Sequence, residues 1–270
     1  MELHRTITYE SRQLHYRDEG RENSKTLVLL HGFMQNLDVW TPFTLNFMSE
    51  MRVITIDLPG HGYSQGYSDI HNMDFMARCV KKVLEHAGVD RCVMVGHSMG
   101  GYVALSFAEQ YPYTLRGLGL LHSHALADND AKKQERLNLC ESVMDNRASF
   151  ILDFIPSLFD NSKAAGLANE IKDLKEQSLE TMTEQNIIAA QKGMMQRPHH
   201  LNLLKKIQVP CLFIYGKNDN RLPLDVAVTQ AMIPQYSEIM LLDHVAHMAH
   251  IEAVEYVKPR IHNFVNTCYL

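Results

Sequence analysis

A serine set between glycines, Gly96-His97-Ser98-Met99-Gly100, is the cluster in this sequence best suited to chemistry. A serine hydroxyl is a weak nucleophile at neutral pH and needs a base within hydrogen-bond reach, with a third group to orient that base. The stretch Leu242-Asp243-His244-Val245-Ala246-His247-Met248-Ala249-His250 offers His244, His247 and His250 as bases, and Asp219, Asp225 and Asp243 are available carboxylates. An apolar run, Cys92-Val93-Met94-Val95, precedes the serine, and Val103, Phe107 and Ala108 follow it at helical spacing. Ser98 therefore falls on a strand-to-helix turn, where small neighbours allow close approach and helix N–H groups favour a developing negative charge.

The elements that must hold these residues alternate between short β-rich runs and longer helical patterns, the signature of a mostly parallel sheet with helices on both faces. Leu27-Val28-Leu29-Leu30, Val53-Ile54-Thr55-Ile56, Cys92-Val93-Met94-Val95, Leu118-Gly119-Leu120-Leu121 and Cys211-Leu212-Phe213-Ile214-Tyr215 are apolar without alternation, as strands buried on both faces should be. Thr6-Ile7-Thr8-Tyr9 and Leu14-His15-Tyr16 alternate around a polar turn and predict an antiparallel hairpin at one edge. Phe75, Cys79, Val83 and Ala87 mark a helix, and Ile251, Val254, Val257, Ile261, Phe264 and Val265 mark a last one that Pro259 should kink. Residues 128–206 contain no buried-strand run, only helical patterns such as Phe150, Ile151, Phe154, Ile155 and Leu158. This stretch is read as a helical cap inserted between a first core segment, 1–127, and a second, 207–270. There is no internal repeat.

Composition narrows the class. A length of 270 residues with 46% hydrophobic content supports one sizeable core, and a formal net charge of -5 without any Lys/Arg block gives no footprint for nucleic acid or an anionic membrane. Cys79, Cys92, Cys140, Cys211 and Cys268 are scattered, without a disulfide framework or a thiolate zinc spacing, and point to a reducing, cytoplasmic setting. The N-terminal Met1-Glu2-Leu3-His4-Arg5 carries no apolar targeting stretch, and no window reaches the length of a membrane span. His122-Ser123-His124 and the downstream histidines lack the further ligands of a recognised metal spacing, so neither a metal nor another cofactor is expected. By position His122 and His124 lie where a strand ends and the insertion begins, a place from which they would line a cleft.

Five signatures occur in a familiar order: Leu30-His31-Gly32-Phe33, Asp57-Leu58-Pro59-Gly60-His61-Gly62-Tyr63-Ser64, Gly96-His97-Ser98-Met99-Gly100-Gly101, Tyr215-Gly216-Lys217-Asn218-Asp219, and His247-Met248-Ala249-His250-Ile251-Glu252. In these the sequence resembles the α/β-hydrolase family over nearly all of the chain outside the insertion. The resemblance implies a triad in the order nucleophile, acid, histidine, which assigns Ser98, Asp219 and His247. It places the oxyanion donors on the backbone of Phe33 and Met99. Ala246 stands where the family usually has glycine, a mild departure. Asp225 follows Pro223 at a helix start, where a carboxylate has an ordinary role. His244 and His250 are read as loop or helix-surface residues, and His31 and the Asp57–Gly62 stretch as structural.

Serine at the elbow, where haloalkane dehalogenases and epoxide hydrolases carry an aspartate, implies an acyl-serine intermediate. A carboxylesterase acting on small or medium acyl esters is the leading expectation, with a small-molecule ester as its partner. Phe150, Phe154, Leu158, Met182, Met194 and Met195 are candidates for an acyl pocket, Phe154 and Met182 foremost with His122 and His124. Two other expectations stay open: carbon–carbon bond cleavage or elimination of the menaquinone-pathway synthase type, to which His31–Trp40 is similar, and a slow-turnover ligand receptor. Tyr102 stands where that synthase carries an arginine. Oligomeric state is not legible.

Overall fold

Strands that are apolar at every position must be covered on both faces. That requirement shapes the computed structural model of the chain, which describes residues 4–270. Residues 1–3, part of the N-terminal stretch read as free of a targeting signal, lie outside the described residues. The strands are β1 (His4–Tyr9), β2 (Arg12–Glu19), β3 (Thr26–Leu30), β4 (Arg52–Ile56), β5 (Cys92–His97), β6 (Leu115–Leu121), β7 (Cys211–Gly216) and β8 (Ser237–Leu242). They form one sheet in the order β1-β2-β4-β3-β5-β6-β7-β8. β2 pairs antiparallel with β1 and β4, and the other neighbours are parallel. The expected edge hairpin is present, closed by Glu10 and Ser11 at positive φ, as a two-residue type I′ turn requires.

The helices are α1 (Thr41–Phe47), α2 (Met73–His86), α3 (Met99–Gln110), α4 (Asp130–Phe154), α5 (Ala168–Thr181), α6 (Glu184–Met195), α7 (Leu201–Lys206), α8 (Leu224–Ala231), α9 (Ala249–Glu252) and α10 (Val254–Cys268). Because side chains alternate across a strand, Val28, Leu30, Ile54 and Met94 pack with Val80 and Val83 of α2 and Val103 and Phe107 of α3. Leu27, Leu29, Val53 and Val93 pack on the opposite face with Phe43 of α1 and Val257, Ile261 and Phe264 of α10. The chain moves from β3 to β4 on one side and returns to β5 on the other. That reversal opens a crevice beyond the C-terminal strand ends, where open α/β sheets bind ligands.

Two expectations shift. β8 escapes a search for uniformly apolar runs because its residues alternate between exposed and half-buried, as an edge strand allows. The C-terminal stripe breaks at Ala253 (φ -147°), between α9 and α10, while Pro259 sits inside α10. Pro259 lies in the second turn of that helix and forfeits one backbone bond, to Glu255.

Between β6 and β7 the chain forms helices α4 to α7, and α4 is broken at Asn146 (φ -159°). These helices are tied to the core through backbone. His71 N–H donates to Ala189 O of α6 at 3.0 Å. A β-carbon on Gly193 would stand 1.8 Å from His71 O, so only glycine permits that approach. Among the described residues, no helix is long and apolar enough to cross a membrane.

Candidate active site

β5 runs into α3 at Ser98, whose backbone is held at φ 50°, ψ -114°. Such a conformation costs about 1–3 kcal/mol for a non-glycine residue and persists only where its surroundings enforce it. The flanking glycines provide that enforcement. A β-carbon on Gly96 would lie 2.3 Å from Gly100 O, and one on Gly100 would lie 2.5 Å from Leu30 O at the end of β3. Strand, helix and the His31–Phe33 loop thus close on one another at backbone distance. Ser98 N–H donates to Leu121 O at 2.8 Å, and Ser123 Oγ–H donates to Ser98 O at 2.9 Å.

Ser98 Oγ lies 2.9 Å from His247 Nε2, and His247 Nδ1 lies 3.0 and 2.9 Å from the two carboxylate oxygens of Asp219. The carboxylate fixes the tautomer: Nδ1 carries the proton, and Nε2 faces the serine as an acceptor. Asp219 Oδ1 also accepts the N–H groups of Arg221 (2.8 Å) and Leu222 (3.2 Å). Burial alone would raise its pKa, but the charge of His247 and hydrogen bonds from His122 and His247 outweigh that and hold it far below the ordinary carboxylate range. The His247 segment is braced by Glu252, whose buried carboxylate accepts Met248 N–H at 2.9 Å and Ala246 N–H at 3.2 Å. His97 Nε2–H donates to His247 O at 2.9 Å.

The rival groups stand elsewhere. Asp243 pairs with Lys217 at the surface at 2.8 Å, Asp225 is exposed in the first turn of α8, and His244 is exposed in a turn. His250 is not a surface residue: it is buried, with its ring 4.3 Å from that of His97 and 5.0 Å from that of Trp40. The α9 turn directs it inward under the site. Phe33 and Met99 flank the serine, one in the loop after β3 and the other as the first residue of α3.

The cleft is lined by Phe33, Ser98, Tyr102, His122, His124, Leu139, Phe154, Leu158, Met194 and His247, with Lys132, Glu135, Arg136, Gln191 and Arg221 on its polar side. Met182, Met195 and Phe150 are not part of this lining. Met182 is buried at the end of α5, where its carbonyl accepts from Arg147 at 2.6 Å. A helical stripe reports burial, not which cavity a side chain faces. Burial pushes His124 down to about 3, so it lines the cleft as a neutral ring.

A model of the alpha/beta hydrolase fold family matches residues 25–254. The chain is an α/β hydrolase. It is 28% identical to an uncharacterized hydrolase, YugF, of Bacillus subtilis, over 93% of this chain and 92% of that one. It is 27% identical to a 2-hydroxy-6-oxononadienedioate/2-hydroxy-6-oxononatrienedioate hydrolase of Paraburkholderia phymatum, over 90% and 87%. Among solved structures, a thermophilic esterase from Thermogutta terrifontis with malate bound superposes at TM-score 0.91 with 27% identity, covering 99% of both chains.

In this α/β hydrolase His122, read from the sequence as a cleft residue, lines the cleft and is also a second partner of Asp219. His122 N–H donates to Ile214 O at 3.0 Å, extending the β6–β7 ladder by one residue. Its positive φ of 47° then swings the ring to Asp219, with Nδ1 2.8 Å from Oδ2. Ala249 N–H lies 3.4 Å from Nε2, so Nδ1 is the protonated atom, and burial keeps the ring neutral by lowering its pKa. His122, Asp219 and His247 offer ligand atoms within 4.8 Å of one another. A cation there would displace the ring protons shared with the Asp219 carboxylate, so the donor set fits a hydrogen-bonded positioning chain better than a metal.

His122→Asn tests the positioning role, since asparagine tolerates positive φ but is too short to reach the carboxylate. Hydrolytic turnover by the variant should show kcat about tenfold lower with KM unchanged. A kcat within twofold of wild type would reduce His122 to packing.

Proposed function

We propose that this α/β hydrolase is a serine carboxylesterase for small or medium acyl esters. The observation that carries the reading is the unbroken chain Ser98 Oγ, His247 Nε2, His247 Nδ1, Asp219, with every link at 3.0 Å or less. Ser98 Oγ attacks the ester carbonyl while His247 Nε2 takes its proton. The tetrahedral oxyanion is met by the N–H groups of Phe33 and Met99. His247 then protonates the departing alkoxide, leaving an acyl-serine. A water then adds to the acyl carbon as His247 takes its proton, and His247 returns that proton to Ser98 Oγ as the bond to serine breaks and the acid leaves. Asp219 holds the ring throughout and stabilises its charged form.

Phe33, Leu139, Phe154, Leu158 and Met194 form the apolar wall available to an acyl chain. The inserted helices act as a cap that excludes water from the serine. The 2-hydroxy-6-oxononadienedioate/2-hydroxy-6-oxononatrienedioate hydrolase among the relatives supports a second reading on the same residues, cleavage of a carbon–carbon bond.

A neutral fluorophosphonate should label a single tryptic peptide, the one carrying Ser98. p-Nitrophenyl esters from acetate to octanoate should be hydrolysed with repeated turnover, fastest at short or intermediate length. Labelling elsewhere would remove Ser98 as the nucleophile. A burst that stops at one product per chain would favour a receptor, and labelling without hydrolysis of any ester would favour the carbon–carbon reading.

A further inference from the structure

The polar side of the cleft carries more positive charge than a neutral ester needs. Lys132, Arg136 and Arg221 line it, against Glu135 as the only carboxylate among the described lining residues, in a chain of net charge -5. Glu135 is already occupied, since both its oxygens accept from Lys132 Nζ at 2.9 Å. Arg136 Nε donates to Asp128 at 2.5 Å, but Asp128 is shared with Arg197 at 2.7 Å. One carboxylate thus stands between two guanidiniums, and a positive charge is left over at the cleft.

Arg221 has no acidic partner at all within salt-bridge distance among the described residues. Its side chain lies 5.0 Å over the Phe154 ring, and one terminal nitrogen donates to Ser157 Oγ at 2.6 Å. Its Nε is buried without a hydrogen-bond partner. Leaving a guanidinium donor dry and unpaired is costly, and an anion offering two oxygens in one plane is the group that satisfies it. The backbone N–H of the same residue donates to Asp219, so this unpaired donor is rooted beside Asp219 and His247.

We propose that Arg221, with Arg136 beside it, forms a carboxylate-binding subsite in the cleft, and that the natural substrate is a short ester bearing a free carboxylate. The proposal rests on the ester-hydrolase reading. Phe154 serves both parts of such a substrate: its face carries Arg221, and its ring packs perpendicular to that of Phe33 with centroids 5.5 Å apart.

Two matched pairs of esters test it by pH-stat. Monomethyl glutarate against methyl 5-oxohexanoate places the carboxylate on the acyl side, with a methyl ketone as its neutral isostere. Acetoxyacetate against acetoxyacetone places it on the alcohol side. Wild type should prefer the charged member of at least one pair, and Arg221→Gln should lower that kcat/KM ratio by about tenfold or more. Arg221→Lys should retain part of the preference, and Lys172→Gln, which removes an exposed cation of α5, should leave the ratio unmoved. Preference for the ketone in both pairs, or a ratio unchanged by Arg221→Gln, overturns the subsite. Binding is read separately: glutarate should protect Ser98 of wild type, but not of Arg221→Gln, from a neutral fluorophosphonate. Protection without hydrolysis of any ester would keep the subsite and sink the esterase reading, and hydrolysis without protection would do the reverse.

Discussion

Asp219→Asn should lower kcat for the proposed ester hydrolysis by about four orders of magnitude with little change in KM. The amide is nearly isosteric, so the site keeps its shape. What changes is the proton. An asparagine can present its NH2 to His247 Nδ1, which moves the ring proton to Nε2, the atom that must accept from Ser98. The effect is larger here than a single contact suggests, because the same carboxylate receives His122 Nδ1 at 2.8 Å and His247 Nδ1 at 2.9 Å. Asp219 also stabilises the fold. Its pKa is depressed, so its contribution is present above the unfolded-state value of about 4 and lost as pH falls through the folded one. Rates must therefore be compared at a temperature where circular dichroism shows both proteins folded. Asp243→Asn and Asp225→Asn should stay within twofold of wild type. A drop of less than tenfold for Asp219→Asn would remove it from the proposed triad.

The second large effect is on stability. His31, His61, His71, His97, His122, His124, His200 and His250 all have pKa values lowered, with burial as the leading cause. A depressed histidine binds its proton more readily in the unfolded chain, so stability is complete above about pH 6.5 and falls with acidification. The window extends down to the folded values, about 4 for His71 and about 3 for His124. Each group that stays neutral contributes about 1.4 kcal/mol of loss by pH 5.5, so His71 and His124 alone give about 3 kcal/mol. Against a typical total of about 5–15 kcal/mol that is a large share. Urea unfolding at pH 7.5, 6.5 and 5.5 should show the midpoint dropping steeply well before carboxylates titrate. His71→Gln should flatten the dependence by its own share. A midpoint constant down to about pH 4.5 would mean that these rings charge in place.

What could be read without coordinates depended on how local the signal was. Leu27–Leu30 and Cys211–Tyr215 are buried on both faces, so their composition alone marks them as central strands, and the elbow glycines announce a turn that only a small residue fits. β8 was invisible to the same test because a half-exposed edge strand needs no uniform apolar run. His122 reaches Asp219 only because β6 and β7 are neighbours, pairing Leu121 with Ile214, and strand adjacency is not written in either segment. His250 was misplaced for a related reason: its surroundings, His97 and Trp40, come from distant parts of the chain. Arg221 lies two residues after Asp219, yet its partners Phe154 and Ser157 belong to the inserted helices.

The seam at Gly193 bears on how fast the cleft can exchange its contents. With helix backbone resting directly on His71 O, and Ala189 O taking the His71 N–H, α6 cannot swing away as a hinged flap without stripping main-chain contacts. Ser178 Oγ of α5 adds a second stitch, donating to Met34 O at 2.7 Å in the loop after β3. Entry and exit then fall to the side chains that line the cleft, such as Leu139, Phe154 and Arg221, and not to a hinged motion of α6 on the microsecond-to-millisecond scale. Residence time in such a cleft is governed by what grips the molecule, and not by a door.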